Sequence, residues 1–145
     1  MDISVSIINK STNPLPKYQT LGSAGMDISA FLDQAVELKP LERVVIPTGL
    51  YVQIPQGFEI QIRPRSGLAI KEGLTVINAP GTIDSDYRGE LRVGIVNLSQ
   101  DEKMIKNGDR IAQMVLAKHE QISWKIVSVL DDTERGEGGF GHTGK

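Results

Sequence analysis

The chain is written almost throughout in short apolar runs of period two, punctuated by Gly, Pro and Asn-Gly, and that pattern leaves room for little besides packed β-sheet. The first run, ISVSII, sets Ile3, Val5 and Ile7 against Ser4 and Ser6. AVEL, RVVIP, LYVQIP, FEIQIRP, LTVIN, ELRVGIVNL, IAQMVLAK and WKIVSVL follow, broken by IPTG, IPQG and KNGD. In ELRVGIVNL, Leu91, Val93 and Ile95 point one way, and Arg92 and Gly94 the other. A helical period survives only in SGLAIKEG, which reads as a short helix closed by Gly73. Many short strands at regular spacing predict an all-β sandwich or jelly roll. A chain of 145 residues holds them in one domain with a sizeable core. Composition shifts only near Asp131, which divides the chain into a β domain, 1–133, and a flexible glycine-rich tail, 134–145.

A net charge of −2 offers no general attraction to nucleic acid or to an anionic membrane, so an anionic ligand must be met by local cations or a metal. The absence of cysteine excludes disulfides and thiolate metal sites and fits a reducing compartment. No apolar stretch approaches the length of a membrane span, and MDISVSIINK has no signal-peptide pattern. The expectation is a soluble, cytoplasmic protein.

The tail, RGEGGFGHTGK, carries five glycines. Ordering such a segment costs much conformational entropy, so it is either loose or closes over a ligand. GEGGFG fits G-x-G-x-x-G and GFGHTGK fits G-x-x-x-x-G-K, but both motifs need a following helix, and no residues remain here to build one. Glycine-rich backbone can still wrap its N–H groups around phosphate, with Arg135 adding a charged contact and Phe140 a flat face for a base. By composition alone a disordered end explains it as well.

Four further stretches carry polar chemistry. NAPGTIDSDYRGELRVGIVN, 78–97, reads as a hairpin centred on Tyr87 with Thr82 opposite Arg92, and Asp84 and Asp86 near the tip. A carboxylate there can serve as a general base toward water, or can simply cap its own turn. RPRSGLAIKEG places Arg65 and Ser66 at a helix start, suited to an anion or to plain N-capping. GDRIAQMV offers Arg110 and Gln113, and GSAGMDISA offers Asp27, whose bland role is pairing with an arginine. His119, at a strand end, reads as surface, and two scattered histidines make no zinc site.

Taken together, AGMDISA, PRSGLAIKEG, NAPGTIDSDYRGELRVGIVN, GDRIAQMV and RGEGGFGHTG closely resemble the five motifs of the trimeric dUTPase family, in order and spacing, across residues 22–145. The resemblance implies a jelly-roll-like fold in a homotrimer, with sites at subunit interfaces and a tail reaching a neighbour's site. It also implies Mg²⁺-dependent hydrolysis of dUTP to dUMP and pyrophosphate. On this sequence it makes Asp84 the base that orients water toward the α-phosphorus. Tyr87 would lie under the deoxyribose, leaving no room for a 2′-hydroxyl. Asn78 and the backbone of Thr82 and Ile83 would read uracil, with Arg92 close by. Arg65, Ser66, Gly67 and Gln113 would hold phosphates. Arg135, Phe140, Gly141 and Thr143 would form the lid. No side chain would bind Mg²⁺ directly; the phosphates and waters would hold it, with Asp27 as possible support for its water shell. Asp27 and Arg110 also look like the structural acid and base of the first and fourth motifs. His142 stands where many members carry Ser. A fold-related dCTP deaminase and a non-catalytic nucleotide-binding β module are the alternative readings.

Overall fold

The computed structural model describes residues 2–144; Met1 and Lys145, the outer limits of the two expected divisions, lie outside the described residues. The strands are β1 (Ser6–Asn9), β2 (Gly25–Ser29), β3 (Val36–Leu38), β4 (Arg43–Gln53), β5 (Phe58–Arg63), β6 (Leu74–Val76), β7 (Gly81–Ile83), β8 (Glu90–Asn97), β9 (Lys103–Ile105) and β10 (Arg110–Lys118). They form two four-stranded antiparallel sheets, ordered β1-β4-β8-β6 and β2-β10-β5-β7, and a small β3-β9 ribbon. The inward halves of the alternating strands meet in one apolar core. Ile28, Ile60, Ile62 and Met114 enter from one sheet; Ile46, Val52, Leu91, Val93 and Ile95 enter from the other. This is the expected jelly-roll-like sandwich. Each such side chain stabilises the fold by about 1.5–3 kcal/mol when buried.

The turn signals act as their chemistry requires. At IPQG the Phe58 N–H donates to the Pro55 carbonyl with Gly57 at φ +86°, and at KNGD the Asp109 N–H donates to the Lys106 carbonyl beside Gly108 at φ +85°. SGLAIKEG forms a single π-type turn, Leu68–Glu72, closed by Gly73 at φ +69° with its N–H on the Ala69 carbonyl. Lys103 Nζ lies 2.9 Å from Glu72 and, by hydrogen bond and charge, holds that carboxyl below its ordinary range, tying the turn to β9.

Three expectations are corrected. IPTG does not break RVVIP from LYVQIP: β4 runs through it, its register against β8 shifting between Pro47 and Tyr51. Pro47 and Gly49 sit at this bulge, where a missing donor and φ +70° are tolerated. WKIVSVL forms no strand among the described residues; the stretch 119–133 has no regular secondary structure, with Trp124, Ile126, Val129 and Leu130 exposed. β-propensity becomes a strand only where a neighbour supplies hydrogen bonds and burial, and this chain's own sheets present none there. Finally, 78–97 is not a ladder hairpin. β7 pairs with β5, placing Thr82 opposite Gln61, whereas Arg92 lies opposite Pro47. Both edges of β8 are occupied, by β4 and β6, so none remains for β7. The expected division at 133/134 falls within the irregular C-terminal stretch, where its turns begin.

Asn97, fully buried at the end of β8, is a polar keystone that strand periodicity does not reveal. Its Nδ2 donates to the carbonyls of Leu38 and Asp101, both at 2.8 Å, and its Oδ1 accepts from Ser99 N–H and Oγ. Asn97→Ala strands the buried Leu38 carbonyl, at about 1–3 kcal/mol, and removes the partner of the half-buried Ser99 groups. The expected result is a clear fall in the urea midpoint with an unchanged slope. No described helix is long and apolar enough to cross a membrane.

Candidate active site

The polar residues gather in three groups. In the first, Asp27 on β2 is clamped by two guanidiniums: Arg65 Nε lies 3.0 Å from Oδ1 and Arg110 Nη1 lies 3.3 Å from Oδ2. Arg65 also donates from Nη1 to the Arg110 carbonyl at 3.2 Å. One carboxylate between two cations fixes both arginines while leaving net positive charge at the start of β10. Ser66 and Gly67, both exposed, follow directly and open the π-type turn. Gln113 lies between Asp27 and Arg63 in register, and its Nε2 donates to the Pro64 carbonyl at 2.9 Å. Gly25 makes this possible, since a Cβ there would collide with Gln113 Oε1. Arg65 and Arg110 line a groove of about 510 Å³, shared with Glu72, Lys103 and Asp109.

The second group surrounds β7 and the start of β8. Asn78 lies across two glycines: a Cβ on Gly81 would meet its Nδ2 at 3.4 Å, and one on Gly94 its Oδ1 at 3.6 Å. β7 is an edge strand, so backbone groups on the side of Thr82 and Ile83 away from β5 are open to a ligand. Asp84 follows, its backbone carbonyl accepting from the Tyr87 N–H at 3.2 Å. The ion pairs of the described residues leave the Asp84 and Asp86 carboxylates unpaired. Both, with Arg88 and His119, line a groove of about 980 Å³ beside the β4–β5 turn. His119, expected at the surface, is half-buried there, and its backbone N–H donates to the Gly57 carbonyl at 3.0 Å. Tyr87 is 41% exposed, with its hydroxyl turned back to donate to the Glu90 carbonyl at 2.9 Å. Arg92 is exposed on the same face of β8 as Gly94, its Nε 3.8 Å from Glu90 Oε2.

The tail is the third group. It folds on itself in successive turns, with Arg135 Nε donating to the Gly138 carbonyl at 2.7 Å. Phe140 is fully exposed at φ +47°; Gly141 and Thr143 are exposed beside it. No described hydrogen bond joins residues 135–144 to the first two groups.

Among the described residues no group of three or more His, Cys, Asp or Glu side chains is placed to hold a metal ion. Both Asp27 oxygens are engaged by arginines, which leaves that carboxylate poorly placed to support a magnesium water shell.

A family model described as dUTPase matches residues 11–144. The chain belongs to the dUTPase family. Among curated proteins, this dUTPase-family chain is 62% identical to the deoxyuridine 5'-triphosphate nucleotidohydrolase of Finegoldia magna, covering 98% of the chain and 99% of the relative. It is 58% identical to that of Fusobacterium nucleatum subsp. nucleatum, covering 99% and 98%. Among solved structures it resembles a Staphylococcus bacteriophage 80alpha dUTPase variant with dUpNHpp, at 27% identity and a TM-score of 0.87, covering 98% of this chain and 99% of that one.

Sequence reasoning assigned no site role to Gly25, Gly89 or Glu90, which shape the two groups through Gln113 and Tyr87. Their signal is adjacency: each stands within two residues of Asp27, Tyr87 or Arg92.

Proposed function

We propose that this chain hydrolyses dUTP to dUMP and pyrophosphate, with the Asp84 carboxylate as the base that orients water toward the α-phosphorus. The observation that carries this is an unpaired carboxylate in an open groove, directly after an edge strand able to read a base with its backbone. A backbone N–H facing uracil O4 would face the amino group of cytosine and be left unpaired, at a cost of about 1–3 kcal/mol. Tyr87 offers its ring beneath the sugar, where a 2′-hydroxyl would not fit. Arg65, Ser66, Gly67 and Gln113 receive the phosphates, the arginine already oriented by Asp27. Mg²⁺ would be carried on the triphosphate and its waters, the described residues forming no cluster of ligands for it, and would supply charge neutralisation for the departing pyrophosphate.

Among the described residues the tail makes no hydrogen bond to the other two groups, and the apolar side chains of 122–130 are exposed. Both features support a homotrimer in which the tail closes over a neighbour's site. Residues 134–145 then act as a lid, with Phe140 over the base and Arg135 on the terminal phosphate; Lys145 lies outside the described residues.

Pyrophosphate release across dUTP, dTTP, dCTP and UTP with Mg²⁺ tests the reading. The expected result is release from dUTP alone, suppressed by a chelator. Ammonia from dCTP would instead identify a deaminase. Tight nucleotide binding without turnover would identify a binding module.

A further inference from the structure

Tyr87 does not take its place by itself. Its side chain folds back over Gly89 and Glu90, and the structure makes that fold possible in two ways. Gly89 leaves the space: a Cβ there would lie 2.6 Å from Tyr87 Cζ and 2.9 Å from Cε2, closer than packed atoms approach. Glu90 supplies the anchor, since its backbone carbonyl accepts the Tyr87 hydroxyl at 2.9 Å. That carbonyl is fixed in turn by its own side chain. Glu90 Oε1 accepts the Gly49 N–H at 2.9 Å, across the bulge of β4, where the ordinary ladder to β8 is interrupted. The bulge is held from the other side too: the Gly49 carbonyl accepts the Lys10 N–H at 2.8 Å, and the buried Thr48 hydroxyl donates to the Leu91 carbonyl. Nothing larger than glycine fits at 49, since a Cβ there would lie 2.8 Å from Ser11.

Resting on the proposed dUTP site, we infer that Glu90 and Gly89 are positioning residues that hold the Tyr87 ring against the sugar and thereby set discrimination against ribonucleotides. The Tyr87 hydroxyl is consumed by an internal hydrogen bond, so the ring offers its face and not its polar tip. Selection against a 2′-hydroxyl is then a matter of shape, and shape depends on a ring that cannot retreat. The Glu90 carboxylate stabilises that ring from a distance: without it the Gly49 N–H loses its acceptor, the first residue of β8 loosens, and the hydroxyl loses a fixed partner.

The test compares kcat/KM for dUTP and UTP in the full-length protein and in Tyr87→Ala, Gly89→Ala, Glu90→Ala and Glu90→Gln. Glu90→Gln keeps an oxygen for the Gly49 N–H. Gly89→Ala and Glu90→Ala are expected to lower the dUTP/UTP ratio about tenfold or more, with Glu90→Gln within about twofold of the parent. Combined with Tyr87→Ala, neither should lower the ratio further, since both act through the ring. A ratio unchanged in Gly89→Ala and Glu90→Ala, when Tyr87→Ala lowers it, overturns the inference. So does a loss of the same size on the Tyr87→Ala background. Should Tyr87→Ala itself leave the ratio unmoved, the sugar role of Tyr87 fails, and nucleotide-free crystals of Gly89→Ala still read the positioning. A displaced ring supports it and an unmoved ring ends it.

Discussion

Replacing Asp84 by Asn is expected to lower dUTP turnover by about a hundred- to ten-thousand-fold while leaving nucleotide affinity within about threefold. The side chain keeps its size and its place in the groove beside Asp86 and Arg88, so contacts to base, sugar and phosphates persist. On the proposed mechanism, what disappears is the ability to accept a proton from water as that water bonds to phosphorus. No described cation is paired with Asp84, so the neutral amide strands no partner and the fold should not suffer. Single-turnover rates, set beside calorimetric binding of a non-hydrolysable dUTP analogue, separate the two effects. Turnover at the parent's rate would remove Asp84 from the chemistry. A parallel collapse of binding would make it a ligand contact instead.

Ending the chain at Glu134 is expected to reduce kcat/KM at least about a hundredfold and to move the melting temperature by less than about 2 °C. Of the removed residues, the described ones, 135–144, are exposed apart from Gly138, bond only among themselves and near neighbours, and contribute nothing to the core. Their glycines and the exposed Phe140 suit a segment that orders on substrate and excludes water around the phosphates, where each charged contact then gains strength. A large fall in melting temperature would show the tail to be a packed element. Unchanged activity would leave the lid without a role.

Much of the architecture was legible because burial imposes period two: Leu91, Val93 and Ile95 alternate in the sequence and all three reach the core. The Gly and Asn-Gly turns were legible because positive φ demands them. Pairing was not, since alternation says which face of a strand is buried but not which strand lies beside it. Hence Thr82 was set opposite Arg92 when β7 and β8 belong to different sheets. Pro47 and Gly49 misled for a related reason: a bulge and a strand end use the same residues, and only the partner strand distinguishes them. In the site, residue types pointed to Asp84 and the arginines, but not to Gly89 or Glu90. Their effect lies in a space left empty and in an amide held across the β4 bulge, neither of which has a composition.

β7 lies at the margin of its sheet, and if uracil is read there it is read by main-chain atoms. A preference of that kind is insulated from ordinary substitution. Exchanging the side chain of Thr82 or Ile83 alters what flanks the nucleobase but not the polar groups it meets. Retuning the enzyme toward another pyrimidine would therefore require re-routing the polypeptide itself, by insertion or deletion, and not repainting its surface.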